Sequence, residues 1–241
     1  MKQHKTLITI SHYNQRSKHN LNCLLSSLKS DQFNLYLVIN DDNCTKEKKI
    51  TFQNVKTLIR PNIGMNIGSW NSTYLNNKNF DFYIFVQDEC EILNIDFVEK
   101  YVSELSKNDV GMTGESINYK WDNNWEDISS SSLNYIVGYN ALKMPVYRVQ
   151  YYLSLMKKWG IHSGLKGLHL RSLVWGFKRE VLKKLFPFPL GKTKEQCIAS
   201  EIAVSKKVEQ LGLKVTQIHE KPFKYISHFE WKLDGSSKVE Q

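Results

Sequence analysis

The run Phe82-Tyr83-Ile84-Phe85-Val86 constrains this chain more than any other segment: every position is apolar, and Gln87-Asp88-Glu89-Cys90-Glu91 follows it directly. A strand without apolar/polar alternation is buried on both faces, as in a sheet covered by helices. Leu7-Ile8-Thr9-Ile10 reads the same way and stops at Ser11-His12-Tyr13-Asn14; Leu35-Tyr36-Leu37-Val38-Ile39 stops at Asn40-Asp41-Asp42-Asn43. Val55–Ile59 is a third, shorter strand closed by Arg60-Pro61-Asn62. Residues 17–29 place Leu21, Leu24, Leu25 and Leu28 at helical spacing, and a second helix is expected from about Ser69 to Leu75. This order predicts an α/β fold, a mostly parallel central sheet with helices on both faces. Ligands of such sheets bind at the carboxyl ends of the strands. Polar clusters follow three of the strands, so they converge on one sheet edge and describe a site.

The pattern loosens after residue 115. Trp121–Ser132 reads as a surface loop, residues 146–159 as a helix, and Leu170–Leu185 as a strand running into a helix. Residues 200–211 read as a helix capped by Ser200 and ended by Gly212, followed by a strand at Lys214–Ile218 and a last extended segment at Tyr225–Trp231. No internal repeat or low-complexity linker is present.

The formal charge of +9 is unevenly placed. Residues 1–140 carry 14 basic and 16 acidic groups, whereas residues 143–192 carry 11 basic groups opposed only by Glu180. Such a block suggests an anionic partner: nucleic acid, an acidic membrane surface or a phosphorylated substrate; the plain alternative is a solvated basic face. No RRM, KH or helix-turn-helix signature accompanies it, so nucleic acid is not expected. The four cysteines lie far apart with no CxxC pair, against a zinc knuckle or a disulfide framework. The apolar run at Leu7–Ile10 is too short for a signal-peptide core, and no run is long enough to span a membrane, so a cytoplasmic location is expected.

Carboxylates crowded on one strand-end loop repel one another unless a cation or hydrogen-bond donors offset the charge. Asp88 and Glu89 therefore fit a hard divalent ion bridging to phosphates, or acids that complement the helix beginning near Asp96. Asp41 and Asp42 suit a ribose or base hydroxyl, or an ordinary turn. His228 is a possible distant third ligand or a structural histidine. Glu201, expected at a helix start, is either a general base or a complement to the helix terminus.

The ordered set Ile8–Asn14, Val38–Asp42, Asn62-Ile63-Gly64-Met65-Asn66-Ile67-Gly68-Ser69-Trp70-Asn71 and Phe85–Glu89 resembles the family 2-like GT-A glycosyltransferases. Arg60–Asn71 is similar to bacterial polysaccharide enzymes of the rhamnosyltransferase type. Trp175–Leu182 looks like the acceptor-side segment of that family, and Ser200-Glu201 through Val215 like its Glu-Asp helix and following strand. The resemblance covers residues 6–114 well and 168–230 loosely. It implies a Rossmann-like GT-A fold whose residues 1–114 bind a nucleotide-sugar donor and whose residues 115–241 form the acceptor-side half of the same domain.

It further implies Ser11, Tyr13 and Asp42 (Asp41 as the alternate register) at the base and ribose, with Asn66 also on the donor. Asp88 and Glu89 fall at the DxD position holding Mn²⁺ or Mg²⁺ and diphosphate, with His228 as the C-terminal metal ligand. Glu201 falls at the base that deprotonates the acceptor hydroxyl for inverting attack. The acceptor implied is a bacterial surface glycan such as lipopolysaccharide or capsule, lipid-linked or at an anionic membrane met by residues 143–192. The sequence departs from the family where Gln87 replaces the usual first acid, where Ser200 replaces the usual Glu, and where Glu201 replaces the usual Asp. A sugar-phosphate nucleotidyltransferase would carry a Gly-rich loop after the first strand, and Ser11–Arg16 has no glycine.

Overall fold

A computed structural model describes residues 4–28 and 33–231. The end of the first predicted helix at residue 29, and residues 232–241 of the predicted acceptor-side half, lie outside the described residues. In chain order the elements begin β1 (Thr6–Tyr13), α1 (Lys18–Ser27), β2 (Asn34–Asp41), β3 (Lys48–Phe52), β4 (Val55–Pro61), α2 (Met65–Asn76), β5 (Phe82–Gln87) and β6 (Cys90–Ile92). They continue with α3 (Phe97–Leu105), β7 (Val110–Gly114), α4 (Trp125–Ser129), β8 (Ile136–Tyr139), β9 (Pro145–Tyr147) and α5 (Arg148–Lys158). The last are β10 (Val174–Lys178), α6 (Arg179–Leu185), α7 (Lys194–Gln210), β11 (Lys214–Gln217) and β12 (Ile226–His228).

Eight strands form the central sheet in the order β11-β7-β10-β5-β1-β2-β4-β3. The pairs β5–β1, β1–β2, β2–β4 and β7–β11 are parallel; β10 runs antiparallel to both β5 and β7, and β3 antiparallel to β4. The predicted mostly parallel sheet is therefore present. The apolar runs bury as their continuity requires: Tyr83 and Phe85 pack with Trp70, Tyr74 and Trp175 on one face, and Ile84 and Val86 with Leu21, Leu24 and Tyr101 on the other. Trp70 stacks on Phe85 with ring centroids 5.4 Å apart, which fixes α2 over the middle of the sheet.

Several expected boundaries move. α2 begins at Met65, four residues before the expected start, because Gly64 enters the left-handed region (φ +78°) and opens the helix there. The hairpin strand β3 is an addition: it is an exposed edge strand, joined to β4 through Gln53 and Asn54, both with positive φ. Trp121–Ser132 is not simply a surface loop, since Trp121 and Ile128 are buried against Tyr152 and Met156 of α5. The last helix starts at Lys194, where the Thr193 hydroxyl accepts the Gln196 N–H; Ser200 is no cap but a buried residue donating to the Pro189 carbonyl. No helix of the described residues is long and apolar enough to cross a membrane.

Candidate active site

The carboxyl ends of β1, β2, β4 and β5 open onto a cavity of about 380 Å³ lined by Ser11, Tyr13, Arg16, Asn40, Asn62, Met65, Asn66, Gln87 and Asp88. A larger cleft of about 700 Å³ lies by Leu7, Phe33 and Tyr36, and among the described residues Lys56 is its only charged lining residue. The smaller cavity is the one at the carboxyl ends of the strands, and it holds the predicted donor residues Ser11, Tyr13, Asn66 and Asp88. Its floor is a buried network: Asn40 Nδ2 donates to Ser69 Oγ (2.7 Å) and Ser11 Oγ (3.3 Å), while the Arg60 guanidinium donates to Asn40 Oδ1 (2.6 Å) and the Ile63 carbonyl (2.9 Å). Strand register brings Ser11 and Asn40 together across β1 and β2; the α2 turn supplies Ser69.

At the rim, the Tyr13 hydroxyl donates to Asp42, and Asn62 Nδ2 donates to the other Asp42 oxygen at 2.9 Å. These two hydrogen bonds, Tyr13 first, hold the Asp42 carboxyl below its ordinary range. Asp41 instead accepts the Asn43 N–H at 2.9 Å and closes the turn. Of the two registers, Asp42 is thus the one gathered with Tyr13.

Asp88 and Glu89 are both buried. Asp88 Oδ2 meets His12 Nδ1 at 2.5 Å, and Asp88 Oδ1 lies 3.8 Å from Arg16, whose guanidinium pairs with Glu89. Burial pushes the Glu89 carboxyl up against the opposing pull of Arg16. Antiparallel pairing of β12 with β6 sets His228 opposite Cys90, with Nε2 at 3.9 Å from Glu89. Of the three predicted metal ligands, His228 thus approaches Glu89, the chain neighbour of Asp88. As arranged, they do not fit a divalent ion: His12 holds Asp88 Oδ2, Arg16 holds Glu89 Oε2, and among the described residues no group of three His, Cys, Asp or Glu is placed to share a cation. Arg16, with 46% of its side chain exposed and on the cavity wall, is the cation paired with these acids, while the Arg60 guanidinium is tied into the floor.

Glu201 lies in the third turn of α7, well inside the helix. Its side chain is 14% exposed; Oε1 is 3.1 Å from His169 Nε2, and Oε2 accepts the Ser172 N–H at 2.7 Å. Burial alone raises the carboxyl pKa, but His169 and the Ser172 donors outweigh it and hold it below the ordinary value. A helix terminus, the expected source of that effect, has no part in it. His169 Nδ1 faces the Gly167 carbonyl at 2.7 Å, so both ring nitrogens point at acceptors. The Ser172 carbonyl in turn accepts Asn66 Nδ2 (2.6 Å) and Gln87 Nε2 (2.7 Å). One residue thus bridges the cavity wall to Glu201.

His12, Arg16, His169 and Ser172 were missed as functional residues by sequence reasoning. His12 and Arg16 stood within or beside a quoted motif, so proximity to the strand end was the available signal; His169 and Ser172 carried none.

No family model matches the chain, and no curated protein matches it. Solved structures do. A mannosyltransferase from Pyrobaculum calidifontis in complex with GDP-Man and Mn²⁺ matches 89% of this chain at 12% identity and a TM-score of 0.50. The match covers 54% of that enzyme, so the chain spans about half its length. Glucosyl-3-phosphoglycerate synthase from Mycobacterium tuberculosis, with Mn²⁺, UDP and glucosyl-3-phosphoglycerate, matches 97% of this chain and 74% of its own at 11% identity and TM-score 0.49. A CMP:2-keto-3-deoxy-manno-octonic acid synthetase complexed with CTP matches 89% and 88% at 10% identity and TM-score 0.46. At such identities likeness concerns architecture. The chain has the mixed α/β, Rossmann-like GT-A fold, with its polar cavity at the strand ends where that fold receives ligands.

Proposed function

We propose that the protein is an inverting glycosyltransferase that moves a hexosyl or deoxyhexosyl group from a nucleotide sugar to a hydroxyl of a bacterial surface glycan, of the lipopolysaccharide or capsule kind. The supporting observation is the Ser172 peptide, whose carbonyl is held by the cavity residues Asn66 and Gln87 and whose N–H is held by Glu201. Donor pocket and acceptor carboxylate are thereby fixed at one residue's separation, which is what positional catalysis requires.

In this reading Ser11, Tyr13 and Asp42 bind the base and ribose, and Asn66 the donor beyond them. Residues 1–114 form the donor half and 115–241 the acceptor half. Glu201, kept ionised by His169 and Ser172, accepts the proton of the acceptor hydroxyl as its oxygen attacks the anomeric carbon. The bond from that carbon to the diphosphate oxygen breaks, and the electron pair leaves with the nucleoside diphosphate. Arg16 offsets the charge developing on the leaving group, a preorganised cation in a partly buried site. The Mn²⁺ or Mg²⁺ implied by the family resemblance would be held by Asp88, Glu89 and His228, but it is given no step here, because His12 and Arg16 each hold one oxygen of those carboxylates.

The basic segment 143–192 supports an acceptor that is lipid-linked or lies at an anionic membrane, and a cytoplasmic site of action peripheral to its inner face goes with that. Part of its charge is spent internally: Arg148, Lys166 and Arg179 pair with Glu195, Asp122 and Asp81, and Arg171 is buried over Trp231. A continuous nucleic-acid track is correspondingly weaker.

Glu201→Gln tests the base. Transfer should fall by about 10²–10⁴-fold while donor affinity stays within about twofold. Unimpaired transfer in that variant would remove Glu201 from the mechanism.

A further inference from the structure

The segment from Tyr135 to Tyr147 has no part in the site above. β8 and β9 pair only with each other, outside the main sheet. Tyr135, Ile136, Tyr139, Leu142, Met144 and Tyr147 are all exposed, Leu142 at 79% and Tyr139 at 70%. A two-stranded hairpin cannot bury such side chains by itself, and a clustered apolar surface of this kind marks an interaction site.

The tip is built to present them. Asn140 Oδ1 accepts the amides of Leu142 (2.9 Å) and Met144 (3.0 Å), the Lys143 amide donates to the Asn140 carbonyl (3.0 Å), and the Asn140 amide donates to the Met144 carbonyl (3.0 Å). The backbone amides of Asn140, Leu142, Lys143 and Met144 are thus satisfied within the loop, which lowers the cost of moving the tip out of water. The base is anchored: the Arg148 amide donates to the Tyr135 carbonyl at 2.9 Å, and the Arg148 guanidinium lies 4.7 Å from the Tyr135 ring centroid and 5.1 Å from that of Trp121.

Charge selects the occupant. The sequence has no Asp or Glu between Asp127 and Glu180. Lys143 sits at the tip, and Lys157 and Lys158 are exposed at the end of α5, the helix that the hairpin leads into. A second copy of the chain on this face would set lysine against lysine, whereas an anionic bilayer offers apolar depth below a negative surface.

We propose that the 135–147 hairpin is a membrane-contact element that seats Leu142 and Met144 at the headgroup boundary of an anionic bilayer. Tyr139 lies at the interface, and Lys143, Lys157 and Lys158 meet lipid phosphates. The inference deepens the membrane side of the proposed function and rests on it for the biological setting, but not on the sugar-transfer chemistry.

Cosedimentation of the full chain with vesicles tests it, without nucleotide or acceptor. Binding is expected to phosphatidylcholine vesicles containing about one-third phosphatidylglycerol, and not to phosphatidylcholine alone. Leu142→Ser with Met144→Ser should weaken that binding by about tenfold or more, with an unchanged melting temperature. Lys143→Glu with Lys157→Glu should do the same through charge alone. Absent binding by the parent chain, or binding unaltered in the apolar double variant, overturns the proposal. So does a concentration-dependent dimer in sedimentation equilibrium that the apolar variant abolishes, since the face would then serve a second copy. Loss of vesicle binding with intact transfer to a water-soluble acceptor, or the reverse, separates this proposal from the catalytic one.

Discussion

Glu201 owes its ionised state to two residues that approach it from a single stretch of chain, His169 and Ser172. Because the imidazole contact lowers the carboxyl pKa, removing it raises that pKa. A base works when deprotonated, so the acid limb of the kcat/KM profile marks its protonation. His169→Gln should therefore move that limb to higher pH, leaving donor affinity at neutral pH near the parent value. An unmoved limb would mean that another group carries the proton. At this scale the sequence was legible where apolar runs stop. Tyr13, Asp42, Asp88 and Glu89 are read from position because each stands at or just past the end of a strand. His12 with Asp88, or Ser172 with Glu201, are not read this way: their contacts depend on sheet register and on where a loop crosses a helix, which no local spacing encodes.

The strands were the most readable elements, because β1, β2 and β5 are buried on both faces and their runs are apolar but for Thr9. β3 and the β8–β9 pair lack that signal, being exposed, and α7 starts before the expected Ser200 because the Thr193 cap sets its start, while its polar first turn, Lys194-Glu195-Gln196, gives no apolar period to read. The segment Arg60–Asn71 shows the link from element to site. Gly68 packs so closely that a Cβ there would collide with the Ile63 carbonyl oxygen and press on the Arg60 guanidinium, which holds Asn40 in the cavity floor. Gly68→Ala is expected to cost at least about 2 kcal/mol in denaturant unfolding, although alanine is the better helix former. A neutral or stabilising result would show that the α2 start yields without disturbing the floor.

Across the whole molecule, charge and architecture divide the labour. The sheet's carboxyl edge gathers acids around one guanidinium, while the acid-free stretch carries the excess of lysine toward the hairpin and α5. The basic segment was visible in the sequence as a block; that Arg148 and Arg171 turn inward, and that Lys166 and Arg179 pair at the surface with Asp122 and Asp81, became visible only through their partners. The proposed function puts a nucleotide sugar in this cavity with Arg16 as its cation. A thermal-shift panel of UDP-, GDP-, dTDP- and CMP-sugars, each with and without Mn²⁺ and each repeated on Arg16→Ala, tests it directly. One nucleotide class should raise the melting temperature by several degrees, as preferential binding to the native state requires. It should do so equally without Mn²⁺, and the shift should shrink in Arg16→Ala. A shift that appears only with Mn²⁺ would contradict the role of Arg16, and a flat response to every nucleotide sugar would contradict the donor pocket itself.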